Sequence, residues 1–124
     1  MSRLAHAVAA RVLEAPEPFD AHSHRLVDGA RPLVAERLSA LEAEGLIQGR
    51  LPTSGCLCFP RLPDGWCDQT FSDFAWKSSG LAVAPGHLFG RPGHLRIGFG
   101  RKAEDIREGL DRLEASLRAY REQH

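Results

Sequence analysis

The sequence predicts an α+β fold, a small sheet of about three strands set among helices, and three observations carry that prediction. Both ends of the chain repeat apolar residues at helical spacing, while the middle holds short alternating or continuous apolar runs bounded by Pro and Gly. The element order that results is helix, helix, strand, helix, strand, strand, helix. The third observation is size: 124 residues (13.6 kDa), 43% hydrophobic and 26% charged, suit one compact domain over 1–124 and are too few for two good cores.

From Leu4 to Leu13 the residues Leu4, Val8 and Val12 recur every fourth position, so an amphipathic packing helix is expected, ended by Pro16 and Pro18. Asp20 is placed to cap a second helix, whose stripe of Leu26, Ala30, Leu33, Leu38 and Leu41 runs to about Leu46 and Gly45. Pro32 lies inside that stripe and predicts a kink, or a break near Gly29. The run 53–59 alternates as a strand, with Cys56 and Cys58 on one face and Leu57 and Phe59 on the other. Leu62-Pro63-Asp64-Gly65 is a turn. Asp68 is placed to cap a short helix through Phe71, Phe74 and Ala75 that Gly80 closes. Leu81–Pro85 reads as a buried strand, 86–93 as a glycine-rich loop, and Leu95–Phe99 as a strand with Arg96 opposite Leu95, Ile97 and Phe99. The last helix is the clearest, with Ala103, Ile106, Leu110, Leu113, Leu117 and Tyr120 three and four apart, acids in its first turn and arginines in its last.

Composition narrows the function classes. The 16 basic and 16 acidic residues balance to a formal charge of +0 and a pI of about 7.0, which disfavours nucleic acid as a partner. No stretch approaches the ~18–20 apolar residues of a membrane span, and the N-terminus has no signal-peptide core. Cys56, Cys58 and Cys67 are an odd number, which points to reduced thiols and a cytoplasmic location.

Arg96 is the most pointed local feature, because a guanidinium in an apolar strand needs an anion for its donor fork. That anion is either an acid of its own domain or a ligand. The glycine-rich loop just upstream lets main chain approach a ligand closely, and the fork suits two-point binding of a carboxylate. Two other constellations are weaker. The three cysteines with His87 or His94 would supply four zinc ligands but lack a second Cys pair. His22 and His24 are two apart on a helix and read as solvated, and Trp66 and Trp76 read as core or lid aromatics.

The run Gly80-Leu81-Ala82-Val83-Ala84-Pro85-Gly86-His87-Leu88-Phe89-Gly90, followed by His94-Leu95-Arg96-Ile97-Gly98-Phe99, resembles the C-terminal small domain of fold-type I, class I/II pyridoxal-phosphate aminotransferases. Gly109-Leu110-Asp111-Arg112-Leu113 supplies the family's last-helix pattern, and 55–60 with 68–76 supply the preceding strand and helix. The likeness is carried from Pro52 to the end, with helix content and order alone before Gly49. It implies a compact layer of sheet and helices, and it implies that Arg96 grips the α-carboxylate of an amino-acid or 2-oxo-acid substrate. Pro85, Gly86, Phe89 and Gly90 would shape the loop over that site, with His87 or Leu88 toward the substrate side chain.

The departures from the family are equally specific. Family members are several times longer and keep their cofactor chemistry in a large domain. The chain's two lysines, Lys77 and Lys102, stand at surface positions without the Ser-x-x-Lys context of the Schiff-base lysine. The expectation is therefore a carboxylate-binding small domain with no catalytic residue, metal or pyridoxal phosphate of its own, the cofactor belonging to the complete enzyme. A separate large-domain chain, or a homodimer or other association through exposed apolar surface, is the expected partner. The alternative is a non-enzymatic ligand-sensing or subunit-interaction module on the same fold.

Overall fold

The computed structural model describes residues 1–124, with four helices and a three-stranded antiparallel sheet. Helix α1 (Arg3–Glu14) is opened by Ser2, whose hydroxyl accepts from the Ala5 N–H at 3.1 Å. It buries no residue, and Leu4, Val8 and Leu13 are exposed; Val8 and Val12 only flank a shallow pocket with Phe19 of the next helix, so the expected packing helix joins no core.

Helix α2 (Glu17–Ala43) follows directly and departs from expectation at its start, and the alternative of a break near Gly29 is not seen. It begins before Asp20, with Pro16 as the flanking residue and Pro18 in the first turn, where a missing N–H costs no ladder bond. It then runs unbroken through Gly29 and Pro32. Pro32 has no N–H for the Asp28 carbonyl, but both residues are exposed, while Ala30, Val34, Leu38 and Leu41 are buried and carry the helix across against α4. Gly45 closes the turn after α2 with a φ of 72°.

The strands are shorter than the apolar runs. Strand β1 is Leu57–Cys58, because Arg31 of α2 claims the carbonyls of Pro52 and Gly55 and holds 52–55 as a loop. Strand β2 is Ala84–Pro85 only; Leu81 and Val83 are half-buried and Ala82 is exposed, so the predicted strand has no partner over 81–83. Strand β3 (Leu95–Gly98) is central, pairing Leu57 with Gly98 and Cys58 with Ile97 on one side, and Ala84 with Arg96 and Pro85 with Leu95 on the other.

Helix α3 (Asp68–Ser79) has Cys67 at its N-cap, so Asp68 is its first helical residue and not the expected cap. Gly80 ends it in the left-handed conformation, as expected. Helix α4 (Ala103–Gln123) buries Ile106, Leu110, Leu113, Leu117 and Tyr120, the predicted stripe. The core lies between α2, α3, α4 and the Leu95/Phe99 face of the sheet. Tyr120 packs edge-on to Trp66, Phe71 and Phe74 at 4.6, 5.5 and 5.2 Å between ring centres, whereas Trp76 is exposed. Arg37 donates to Asp111 and Glu114, and Arg118 donates to Glu44 at 2.7 Å, tying α2 to α4 at their polar edge.

Candidate functional site

Arg96 stands on the central strand, on the face away from Leu95 and Phe99, which are both fully buried. Its guanidinium lies over the ring of Phe89 at 4.9 Å from the ring centre, a cation–π contact. No hydrogen bond or ion pair to a group of its own chain engages it, in contrast to Arg37, Arg112 and Arg118, each paired with an acid. Of the two anions open to Arg96 from the sequence, no acid of its own domain engages it in this arrangement.

The turn that brings Phe89 to Arg96 is built from close backbone approach. Residues Gly86–Phe89 form a 3-10 turn, closed by hydrogen bonds from the Gly86 N–H to the His94 carbonyl (2.7 Å) and from the Arg91 N–H to the Gly86 carbonyl (2.9 Å). A Cβ on Gly86 would lie 2.7 Å from the His94 carbonyl oxygen and 2.8 Å from the His94 Cβ, so only glycine fits there. Phe89 meets Phe59 edge-on at 6.0 Å. Leu88 is exposed and contributes nothing to this packing.

His87 is held from below by Asp68, whose role the sequence did not reveal. One carboxylate oxygen, Oδ2, accepts from both the His87 backbone N–H (2.7 Å) and its imidazole Nδ1 (2.9 Å). Asp68 is only 5% exposed. Burial pushes its carboxyl up, but the His87 N–H and imidazole, with the Gly93 N–H, outweigh that and hold it below the ordinary carboxylate range. A helix-start Asp is a common cap, and nothing in the local sequence distinguishes one that instead anchors a turn 19 residues away.

Beside Arg96 lies an open groove of about 260 Å³ between 81–83, β3 and the start of α4, apolar at Val83, Ile97 and Leu110. Arg101 and Asp105 edge it, 3.7 Å apart. It exists because 81–83 leaves the sheet that β2 joins only at Ala84.

The other candidate groups do not assemble. Cys56 is half-buried, Cys58 buried and Cys67 exposed, and no three His, Cys, Asp or Glu side chains come together to hold a metal. His22 and His24 are exposed. Lys77 and Lys102 are both exposed, and neither lines the groove at Arg96, so the residues present do not fit a Schiff base to pyridoxal phosphate. No helix is long and apolar enough to cross a membrane.

No protein-family model matches the chain. The aspartate aminotransferase of Pyrococcus abyssi is 34% identical over 94 residues, which are 73% of this chain and 23% of that protein. Among solved structures, the aromatic aminotransferase of Pyrococcus horikoshii OT3 superposes with a TM-score of 0.70 at 29% identity, over 93% of this chain and 30% of that one. The pyridoxal-phosphate-dependent cyclase OrfR superposes with a TM-score of 0.77 at 26% identity, over 97% of this chain and 33% of that one. The likeness thus extends through α1 and α2 and is not confined to the residues after Pro52. The chain spans about a quarter of the length of the curated relative and a third or less of these structures.

Proposed function

The chain is a homologue of the C-terminal small domain of the fold-type I pyridoxal-phosphate-dependent aminotransferases, and from that premise we propose that it is the substrate-carboxylate-binding part of such an enzyme. In this reading 1–124 is one domain, and the complete enzyme moves an amino group between an amino acid and a 2-oxo acid. Arg96 grips the substrate carboxylate, with Gly86, His87 and Phe89 shaping the turn beside it. The observation that carries the proposal is a half-buried guanidinium on the central strand with no acid of its own chain engaging it. Its planar fork matches a carboxylate in two-point contact, while the Phe89 ring backs one face and leaves the donor edge free.

Orientation is the contribution that such a residue makes: a substrate fixed by its carboxylate presents its α-carbon in one place. The bond chemistry belongs to the cofactor of the complete enzyme, held by a large-domain partner chain, and this chain alone is proposed to be non-catalytic. OrfR carries the same fold in a cyclase, so the fold alone does not select transamination. The aminotransferase relative at 34% identity does favour it. The exposure of both lysines supports, as a second reading, a ligand-sensing or subunit-interaction module without chemistry. A neighbouring reading frame encoding a large domain with its lysine separates the two. Three free cysteines support a cytoplasmic location.

The test is a titration of the ¹⁵N-labelled chain with 2-oxoglutarate, followed by the Arg96 side-chain and 86–94 backbone resonances. Wild type is expected to saturate, and Arg96→Lys to bind about tenfold or more weakly, the cost of losing charge-assisted hydrogen bonds. Equal binding by the two proteins removes Arg96 from the site.

A further inference from the structure

We propose that Asp68 is a positioning residue for Arg96, acting through the 86–89 turn and the ring of Phe89. The inference rests on the reading of Arg96 as the carboxylate grip, and it adds a residue from a different element. Four observations link the two side chains. Asp68 is buried at the start of α3, and its Oδ2 accepts both the backbone and the imidazole N–H of His87. Two residues after His87 comes Phe89, whose ring lies 4.9 Å from the Arg96 guanidinium carbon. Phe89 is 47% exposed and touches one other ring, Phe59, so burial does not hold it; the turn does. The turn in turn has two anchors, the Gly86 to His94 backbone pairing on the sheet side and Asp68 on the helix side.

The physical logic is that an exposed aromatic ring keeps one position only when the backbone that carries it is fixed. A guanidinium over a ring face is attracted by the ring quadrupole and has fewer conformers to lose when a carboxylate arrives. With Asp68 removed, the turn keeps its strand-side bonds, but the segment 87–89 loses two hydrogen bonds to one buried anion. Phe89 then swings free, and Arg96 regains the freedom that ligand binding must remove.

Ring-current displacement of the Arg96 Nε–H resonance reports this contact without any ligand. In wild type the resonance is expected upfield, and Phe89→Leu is expected to return it to the ordinary arginine position. Asp68→Asn keeps the size and one acceptor oxygen but removes the charge. It is expected to lose most of the displacement and to bind 2-oxoglutarate several-fold more weakly, while the Phe71 and Tyr120 core resonances stay in place. An Arg96 resonance unmoved in Asp68→Asn overturns the inference. Should the core resonances of Asp68→Asn collapse, His87→Ala, which removes the imidazole bond alone, carries the same two outcomes. Failure of wild type to bind 2-oxoglutarate defeats the carboxylate grip and leaves the ring-current comparison to decide the positioning role by itself.

Discussion

Cys58 and Cys67 carry the same thiol nine positions apart and meet opposite environments. Cys58 is 2% exposed, and burial pushes its pKa up to about 11. Cys67 is exposed at the N-cap of α3, where bonds from the Thr70 hydroxyl and the Thr70 and Gln69 N–H groups favour its thiolate and pull its pKa down. An aromatic disulfide reagent near neutral pH should therefore label Cys67 first and reach Cys58 only on unfolding. The shift at Cys58 also has a thermodynamic sign. Its folded value lies above the unfolded value of about 8.5, so its contribution is fully present below that pH and is lost as pH rises toward 11. The loss is at most about 3 kcal/mol across that window. Urea midpoints at pH 7 and pH 10 check this: wild type should fall more steeply than Cys58→Ala, and parallel lines would place the alkaline loss elsewhere. Alternation in 53–59 correctly put Cys56 and Cys58 on one face, but which of them reaches the core depends on Leu95 and Phe99, residues the local pattern does not contain.

Among the elements, α1 is the one with no counterpart inside the chain. Its 12 residues have a well-formed apolar stripe and bury nothing, and Phe19 at the start of α2 extends the same exposed face. No element of the chain buries this face. Left uncovered, the apolar stripe should drive weak self-association. Sedimentation velocity should give a weight-average mass that rises with concentration for wild type and stays monomeric for Val8→Glu, whose folding core is untouched. A concentration-independent monomer in wild type would mean that water alone suffices for α1. Helix periodicity made α1 and α4 legible because it depends only on residues within the helix. It could not say that α4 is buried and α1 bare, since both stripes look alike. Pro32 failed as a breaker for a related reason: its local penalty is set against the burial of Ala30, Val34, Leu38 and Leu41 against a helix 70 residues away. The runs 53–59 and 81–85 are longer than the strands they form because strand length is decided by the partner, and β3 pairs with only two residues of each.

At the scale of the whole molecule, the parts of the proposed carboxylate site converge from three elements while the groups for cofactor chemistry do not converge at all. Arg96 comes from β3, Phe89 from the turn after β2 and Asp68 from α3, and the sequence motif identified the first two because they lie within ten residues of each other. A Schiff base, by contrast, needs a lysine whose amine is partly shielded and kept neutral, beside a cradle for phosphate and an acid for the ring nitrogen. Lys77 and Lys102 are exposed at the ends of different helices, with no apolar shield, phosphate cradle or ring-nitrogen acid gathered around either amine. Adding pyridoxal phosphate to the purified chain should therefore give only the spectrum of free cofactor with slow, unsaturable amine reaction, identical in Lys77→Ala and Lys102→Ala. A saturable aldimine band abolished by one of these substitutions would place a cofactor site on this chain and overturn its reading as the non-catalytic part. With no such band, the reading of this chain as the non-catalytic part stands, and Arg96 remains the group on it whose ligand is to be identified.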